Sequence, residues 1–306
     1  MTEQDKSPSA APSAANDWLD KAEVLTEALP FMRRYSGHRL VIKFGGNAMG
    51  EAETLRSFAE DVVLLHQVGT CPLVVHGGGP QIGEMLAKLD IQSEFINGLR
   101  VTDADTISVV EMVLAGAINK GLVAAIHQAG GRAVGISGKD GQLITAHKVG
   151  AAKGDSLIED SIDLGFVGEP EHVDTTVIDA LIKAQLIPVI APVAADRSHA
   201  TYNINADTAA GAISAAMGAS RLIMLTDVKG VLDRDGQLIP QLTISEAEKL
   251  IADGTINGGM IPKVTTCIDA VRGGAEGAVI LDGRQKHATL IELFTEDGTG
   301  TIFIQD

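Results

Sequence analysis

Only two cysteines occur in the 306 residues, Cys71 and Cys267, with no Cys-x-x-Cys pair and no histidine at zinc-ligand spacing. A disulfide framework and a structural zinc site therefore have no basis, and thiols in apolar surroundings read as buried residues of a reducing compartment. Basic residues are scarce as well: 24 Lys and Arg face 40 Asp and Glu, a net charge of −16. Nucleic acid and anionic membrane, which would repel such a chain, are not expected partners. Any bound anion must be held by backbone amides and a few placed cations. The longest apolar candidate, residues 186–195, is short and broken by Pro188 and Pro192, so no run approaches membrane length. The N-terminus lacks the basic, apolar and cleavage-site order of a signal peptide, and a cytoplasmic protein is expected.

What the chain does contain is glycine after short apolar runs. Leu40-Val41-Ile42-Lys43-Phe44 ends in Gly45-Gly46, and Leu73-Val74-Val75-His76 ends in Gly77-Gly78-Gly79-Pro80. Each run has the length of a strand buried on both faces, and each is followed by a helical pattern. Glycines there let backbone N–H groups approach an anion, with the positive end of a helix behind them. Gly45, Gly46, Gly78 and Gly79 thus form a candidate phosphate cradle, with Lys43 adding a full charge. Gly258-Gly259-Met260-Ile261-Pro262-Lys263 repeats glycines before a helix. Ser137-Gly138-Lys139-Asp140 is not a Walker A loop, since Ala133 stands where its first glycine belongs and Asp140 where Ser or Thr would follow the lysine.

Residues 1–16 have no apolar periodicity and read as a disordered tail. Residues 17–37 carry a helix with Trp18, Leu19, Leu25 and Met32 near helical spacing, which Pro30 should kink or break. Helices are expected at 51–68 and 81–89, and Thr102 or Asp103 could cap a helical region to 128 that Gly116 and Gly121 divide. Residues 142–172 resemble small hairpins over a site. Asn203-Ile204-Asn205-Ala206-Asp207 reads as a polar turn before a helix at 208–217. Alternating β and α elements imply a three-layer αβα sandwich on a mainly parallel sheet, with ligands beyond the carboxyl ends of its strands. Taken singly, Asp207 could be a helix N-cap, Arg100 a surface ion-pair partner, Lys263 a first-turn residue and His76 a structural hydrogen-bonding group.

Together, Lys-Phe-Gly-Gly at 43–46, His-Gly-Gly-Gly-Pro at 76–80, Asn-Gly-Leu-Arg-Val-Thr at 97–102, Asn-Ile-Asn-Ala-Asp at 203–207 and Gly-Gly-Met-Ile-Pro-Lys at 258–263 resemble the amino acid kinase superfamily. Within it they are most similar to the acetylglutamate kinases, in the family's order from about Gly37 onward. The resemblance implies an amino acid kinase fold of two lobes, with residues 38–192 binding acetylglutamate and residues 193–306 binding ATP. It implies phosphorylation of the side-chain carboxylate of N-acetyl-L-glutamate, the second step of arginine biosynthesis. Lys43 and Lys263 would stabilise the transition state and Asp207 would orient both. Gly78, Gly79, Arg100 and Asn203 would bind acetylglutamate, and Thr226, Asp227, Gly230, Val231 and Gly259 the nucleotide. Mg2+ would arrive with ATP, without a protein metal site.

The N-terminal helix further resembles that of arginine-inhibited members. This implies a homo-oligomer, a dimer or a hexamer built as a trimer of dimers, with arginine held near Tyr35, Glu296, Asp297 and Gly300. A PII-type regulator is a possible partner. The alternatives are a same-fold kinase for an amino-modified aminoadipate, glutamate, aspartate or carbamate, and a non-catalytic sensor of arginine or nucleotide.

Overall fold

The computed structural model describes residues 14–46, 49, 52–96, 98–150, 163–295 and 298–306. After α1 (Ala14–Tyr35) the chain enters β1 (Arg39–Phe44), whose side chains alternate between two faces. Leu40, Ile42 and Phe44 join one core layer and Val41 the other. The same period of two sends Lys43 to the Val41 side. Each fully buried apolar side chain here contributes roughly 1.5–3 kcal/mol, as an upper estimate.

The strand–turn–helix pattern continues with α2 (Ala52–Gln67), β2 (Cys71–His76) and α3 (Gly79–Lys88), then a small hairpin, β3 (Phe95–Ile96) and β4 (Leu99–Arg100). A continuous helix follows, formed by α4 (Ala104–Glu111), a π-helical segment (Met112–Ile118) and α5 (Asn119–Gln128). Next come β5 (Ala133–Ser137), β6 (Ile144–Lys148), β7 (Val167–Val173), α6 (Thr176–Lys183), β8 (Ile187–Ala191), β9 (Val193–Ala195) and β10 (Thr201–Ile204). The chain closes through α7 (Ala206–Met217), β11 (Arg221–Thr226), β12 (Gln241–Thr243), α8 (Ile244–Ala252), α9 (Met260–Arg272), β13 (Ala278–Asp282), α10 (Ala288–Phe294) and β14 (Thr301–Ile304).

Eight strands form one sheet in the order β12-β14-β13-β11-β1-β2-β8-β5, parallel except for β13 against β14. Residues of α2, α5 and α10 pack on the Leu40 face, and residues of α7, α8 and α9 on the Val41 face. This is the αβα sandwich that the alternation implies. β10, β7, β6 and β9 close into a separate four-stranded barrel. The expected division after residue 192 runs through this barrel, because β9 and β10 pair with strands that precede it.

Several local expectations are corrected. Pro30 lies inside α1 without ending it; the carbonyl it leaves unpaired, that of Thr26, belongs to an exposed residue that water can reach. The helix begins at Ala14, so residues 14–16 are not tail, and residues 1–13 lie outside the described residues. Gly116 and Gly121 do not divide the helix between Ala104 and Gln128; Gly116 sits within the π segment and Gly121 within α5. By length and composition this helix is apolar enough to cross a membrane, contrary to the expectation that no segment is. Its Val110, Leu114, Leu122 and Ile126 are instead buried in the core. Residues 151–162, the middle of the expected hairpins, lie outside the described residues.

β12 and α8 went unanticipated, although Thr243-Ile244-Ser245-Glu246 carries the signal. The Glu246 amide donates to Thr243 Oγ1 at 3.3 Å and the Thr243 amide to the Glu246 carboxylate at 2.8 Å, a complete capping box.

Candidate active site

Three helix and strand ends converge where β1 stops. Asn205, not Asp207, caps α7: its Oδ1 accepts from the amides of Asp207 at 2.8 Å and Thr208 at 3.3 Å. The Asp207 carboxylate is thereby free of capping and points across the sheet face. Its Oδ1 lies 2.8 Å from Lys43 Nζ, and its Oδ2 accepts from Lys263 Nζ at 3.0 Å. Lys263 stands in the first turn of α9. Lys43 is 7% exposed. Burial would raise the Asp207 pKa, but Lys43 and then Lys263 outweigh it and hold the carboxyl below its ordinary value. The result is two ammonium groups fixed on either side of one carboxylate.

Beside this bridge the first two glycine turns touch. The Gly77 amide donates to the Phe44 carbonyl at 2.8 Å, and a Cβ on Gly45 would come within 3.2 Å of the Gly77 nitrogen. Gly78 has no room for a side chain either, since a Cβ would lie 2.4 Å from Ile118 Cδ1 and 2.7 Å from Leu114 Cδ2. Around Gly46 and Gly79, by contrast, the space is open. Gly46 takes φ +75°, the left-handed region.

Gly79 also begins a groove of about 640 Å3 lined by Pro80, Gly83, Leu86, Ser93, Phe95 and Arg100 among others. Arg100, on β4, is buried; it donates to the Gly79 carbonyl at 2.9 Å and to Ser93 Oγ, and its guanidinium lies 4.4 Å from the Phe95 ring centre. Among the described residues no carboxylate pairs with it. Burial lowers its pKa without approaching neutrality being at issue for a guanidinium. Asn203 lies on β10, in a strand rather than the expected turn, and is not among the residues lining this groove. Asn97 lies outside the described residues.

A second cavity, of about 380 Å3, is lined by Asp227, Val228, Lys229, Gly230, Val231, Leu232, Thr255, Ile256, Asn257, Met260 and Arg284. Asp227, Gly230 and Val231 were anticipated. Thr226 and Gly259 adjoin the cavity in sequence without lining it. Thr255 to Asn257 went unread because nothing in an irregular loop marks its fold onto the β11 turn. Gly230, at φ +144°, packs where a Cβ would meet Thr301 Oγ1 at 2.6 Å. Met260 opens α9 and Lys263 follows it one turn on, so one helix joins this cavity to the bridge.

Of the expected effector residues, Tyr35 is buried in the core, with the Arg221 guanidinium 5.9 Å from its ring centre. Gly300 abuts β13, where a Cβ would lie 2.3 Å from the Ile280 carbonyl oxygen. Glu296 and Asp297 lie outside the described residues. A further cavity of about 190 Å3 on the Phe44 side is lined by Ser57, Asp61 and His287 among others. There burial lifts the Asp61 carboxyl to about 6, against the hydrogen bond from His287 at 2.5 Å.

Residues 38–282 match the amino acid kinase family. The chain is 60% identical over 286 residues to the acetylglutamate kinase of Parvibaculum lavamentivorans, covering 93% of this chain and 94% of that one. It is 61% identical over 287 residues to the acetylglutamate kinase of Rhodospirillum rubrum, covering 93% of each. Among solved structures, the N-acetylglutamate synthase of Neisseria gonorrhoeae, complexed with coenzyme A and N-acetyl-glutamate, superposes with a TM-score of 0.81 at 25% identity. That match covers 93% of this chain but 63% of the synthase. With two lysines bridged by a carboxylate, and with such relatives over nearly its full length, the chain belongs to the amino acid kinase family and, within it, to the acetylglutamate kinases.

Proposed function

We propose that the chain transfers the γ-phosphoryl group of MgATP to the side-chain carboxylate of N-acetyl-L-glutamate, giving N-acetyl-L-glutamyl 5-phosphate and ADP, the second step of arginine biosynthesis. The observation that carries this is the Lys43–Asp207–Lys263 bridge, which α9 joins to the Asp227–Met260 cavity and the Gly77–Gly79 turn to the Arg100 groove. Phosphoryl transfer asks the protein for alignment and charge neutralisation more than covalent work, and two fixed ammonium groups supply the second. The acceptor carboxylate, with an ordinary pKa near ~4.3, is already ionised at neutral pH, so no general base is needed. The amides of the Gly45–Gly46 and Gly78–Gly79 turns receive phosphoryl oxygens, and the planar fork of Arg100 receives the α-carboxylate. Asn203 hydrogen-bonds the substrate, and Thr226, Asp227, Gly230, Val231 and Gly259 border the nucleotide.

The Arg100 groove, with Asn203, thus serves the acyl amino acid and the Asp227–Met260 cavity the nucleotide. Among the described residues no three histidine, cysteine or acidic side chains gather to hold a cation, and Asp207 is engaged by lysines. Mg2+ enters as part of the nucleotide substrate, held mostly by its phosphates and by water.

The exposed apolar residues of α1, Trp18, Leu19, Val24 and Leu25, support a second reading, that this helix joins subunits of a cytoplasmic homo-oligomer, dimer or hexamer. Feedback inhibition by arginine near Tyr35, Glu296, Asp297 and Gly300, and docking of a PII-type regulator, belong to that reading. A coupled ADP-release assay with acetylglutamate, acetylaminoadipate, glutamate and carbamate tests the activity; preference for any but the first would overturn it. Removal of residues 1–35 should leave an active dimer insensitive to arginine, and undiminished inhibition would remove α1 from regulation.

A further inference from the structure

His76 and Asn119 are buried polar side chains beneath the second glycine turn that the reaction as described leaves unused. His76 ends β2 with no exposed surface. Its Nδ1 lies 2.9 Å from the Gly77 carbonyl oxygen, and its Nε2 lies 3.2 Å from Asn119 Nδ2. A carbonyl only accepts and an amide nitrogen only donates, so the ring is neutral with its proton on Nδ1.

The orientation of Asn119 is equally determined. Its Nδ2 also donates to the Val189 carbonyl at 2.9 Å and lies 3.3 Å from that of Ile136, while its Oδ1 accepts from Lys120 Nζ at 3.1 Å. Reversing the amide would set Oδ1 against two carbonyls. The site is built around this side chain: a Cβ on Gly135 would fall 1.8 Å from Asn119 Oδ1, and Lys120 Nζ donates to the Gly135 carbonyl at 2.8 Å.

What this arrangement controls is a peptide plane. The Gly77 amide is tied to Phe44 and the Gly77 carbonyl to His76. Because a trans peptide is planar, a carbonyl drawn toward His76 turns the N–H of Gly78 the opposite way, and that N–H has no backbone acceptor among the described residues. We infer that Asn119 and His76 are positioning residues: Asn119 holds the Nδ1–H form of His76, which fixes the Gly77–Gly78 peptide so that the Gly78 N–H is aimed at a phosphoryl oxygen. The inference rests on the proposed use of this turn as a phosphate cradle. Neither side chain touches substrate.

Long-range proton–nitrogen correlation on the full-length enzyme labelled in its histidine rings, with the His76 signals assigned by loss in His76→Gln, reads the tautomer directly and needs no functional variant. The expected result is a protonated Nδ1 and a bare Nε2; a proton on Nε2 overturns the inference. Asn119→Leu, nearly isosteric, should lower kcat roughly 10²-fold while the KM values for acetylglutamate and MgATP stay within about threefold, because a slightly misaimed donor costs the transition state most. A folded Asn119→Leu enzyme with unchanged kcat, or one whose His76 keeps the same tautomer and a matched loss in both KM values, overturns it too. Activity of the unaltered protein on acetylglutamate tests the functional reading separately, since the tautomer does not depend on which substrate is used.

Discussion

Replacing Asp207 with asparagine preserves shape and deletes the one negative charge between two lysines. At 2.8 and 3.0 Å, each ammonium–carboxylate pair has a gross attraction of about 6 kcal/mol at an effective dielectric of ~20, most of it offset by desolvation. Breaking a buried pair while leaving its partner charged typically costs ~3–5 kcal/mol, and here two cations would remain, one of them 7% exposed. Because the folded carboxyl sits below its ordinary 3.8, its stabilising contribution is present above that value and lost as pH falls below it. At neutral pH the variant therefore lacks all of it. Asp207→Asn should unfold at lower temperature than the unaltered enzyme and should regain more on adding MgATP, whose phosphates neutralise the stranded ammonium groups. With the lysines no longer aimed, kcat at saturating substrates should fall about 10²–10³-fold in the coupled assay. A folded Asp207→Asn enzyme with kcat within about threefold of normal would refute the assignment of the bridge to the chemical step.

Arg100→Lys should raise the KM for acetylglutamate about tenfold or more and leave that for MgATP nearly unchanged, since a lysine cannot reproduce a bidentate pair; steady-state kinetics with each substrate varied decides it. Gly78→Ala should lose roughly 1–3 kcal/mol in urea unfolding, because its methyl meets Ile118 and Leu114, and Ile118→Ala in the same chain should return part of the loss. Burial, against the Gly77 hydrogen bond and with Lys120 nearby, lowers the His76 pKa from 6.5 to about 4, so its unfolded form binds the extra proton and stability from this group rises with pH between those values. Asp61, lifted from 3.8 to about 6, acts with the opposite sign over nearly the same window. Stability measured from pH 4 to 6.5 should accordingly tilt downward with rising pH in His76→Gln and upward in Asp61→Asn, relative to the unaltered chain; parallel profiles would refute both.

How far the sequence reaches depends on whether a residue's role is set nearby. Lys43 could be placed because strand alternation is local, and the turn chemistry of Gly46 and the first-turn position of Lys263 follow from their neighbours. The sequence offers Asp207 as the cap of α7, whereas Asn205 takes that place; both residue types favour helix starts, and only the capping hydrogen bonds separate them. Asn119 was not legible at all: it lies in an apolar helical stretch, and its partners at His76, Ile136 and Val189 are brought to it by the sheet order β2-β8-β5. Gly78 shows the same limit, because the reason it must lack a side chain is Ile118, forty residues away.

The π segment between Met112 and Ile118 has a consequence for how this helix can change in length. A wider turn offsets the angular phase of everything after it, so residues before Met112 and from Asn119 onward keep separate alignments with the body of the protein. Loss of one residue from α4 or α5 with the wide turn kept would bring either the Val110 side or the Leu122 side out of phase by about 100°. The buried amide beneath the glycine turn would then leave its three acceptors. Substitutions along the exposed side of this helix are tolerable one at a time, whereas single-residue insertions or deletions there act on the active site from outside it.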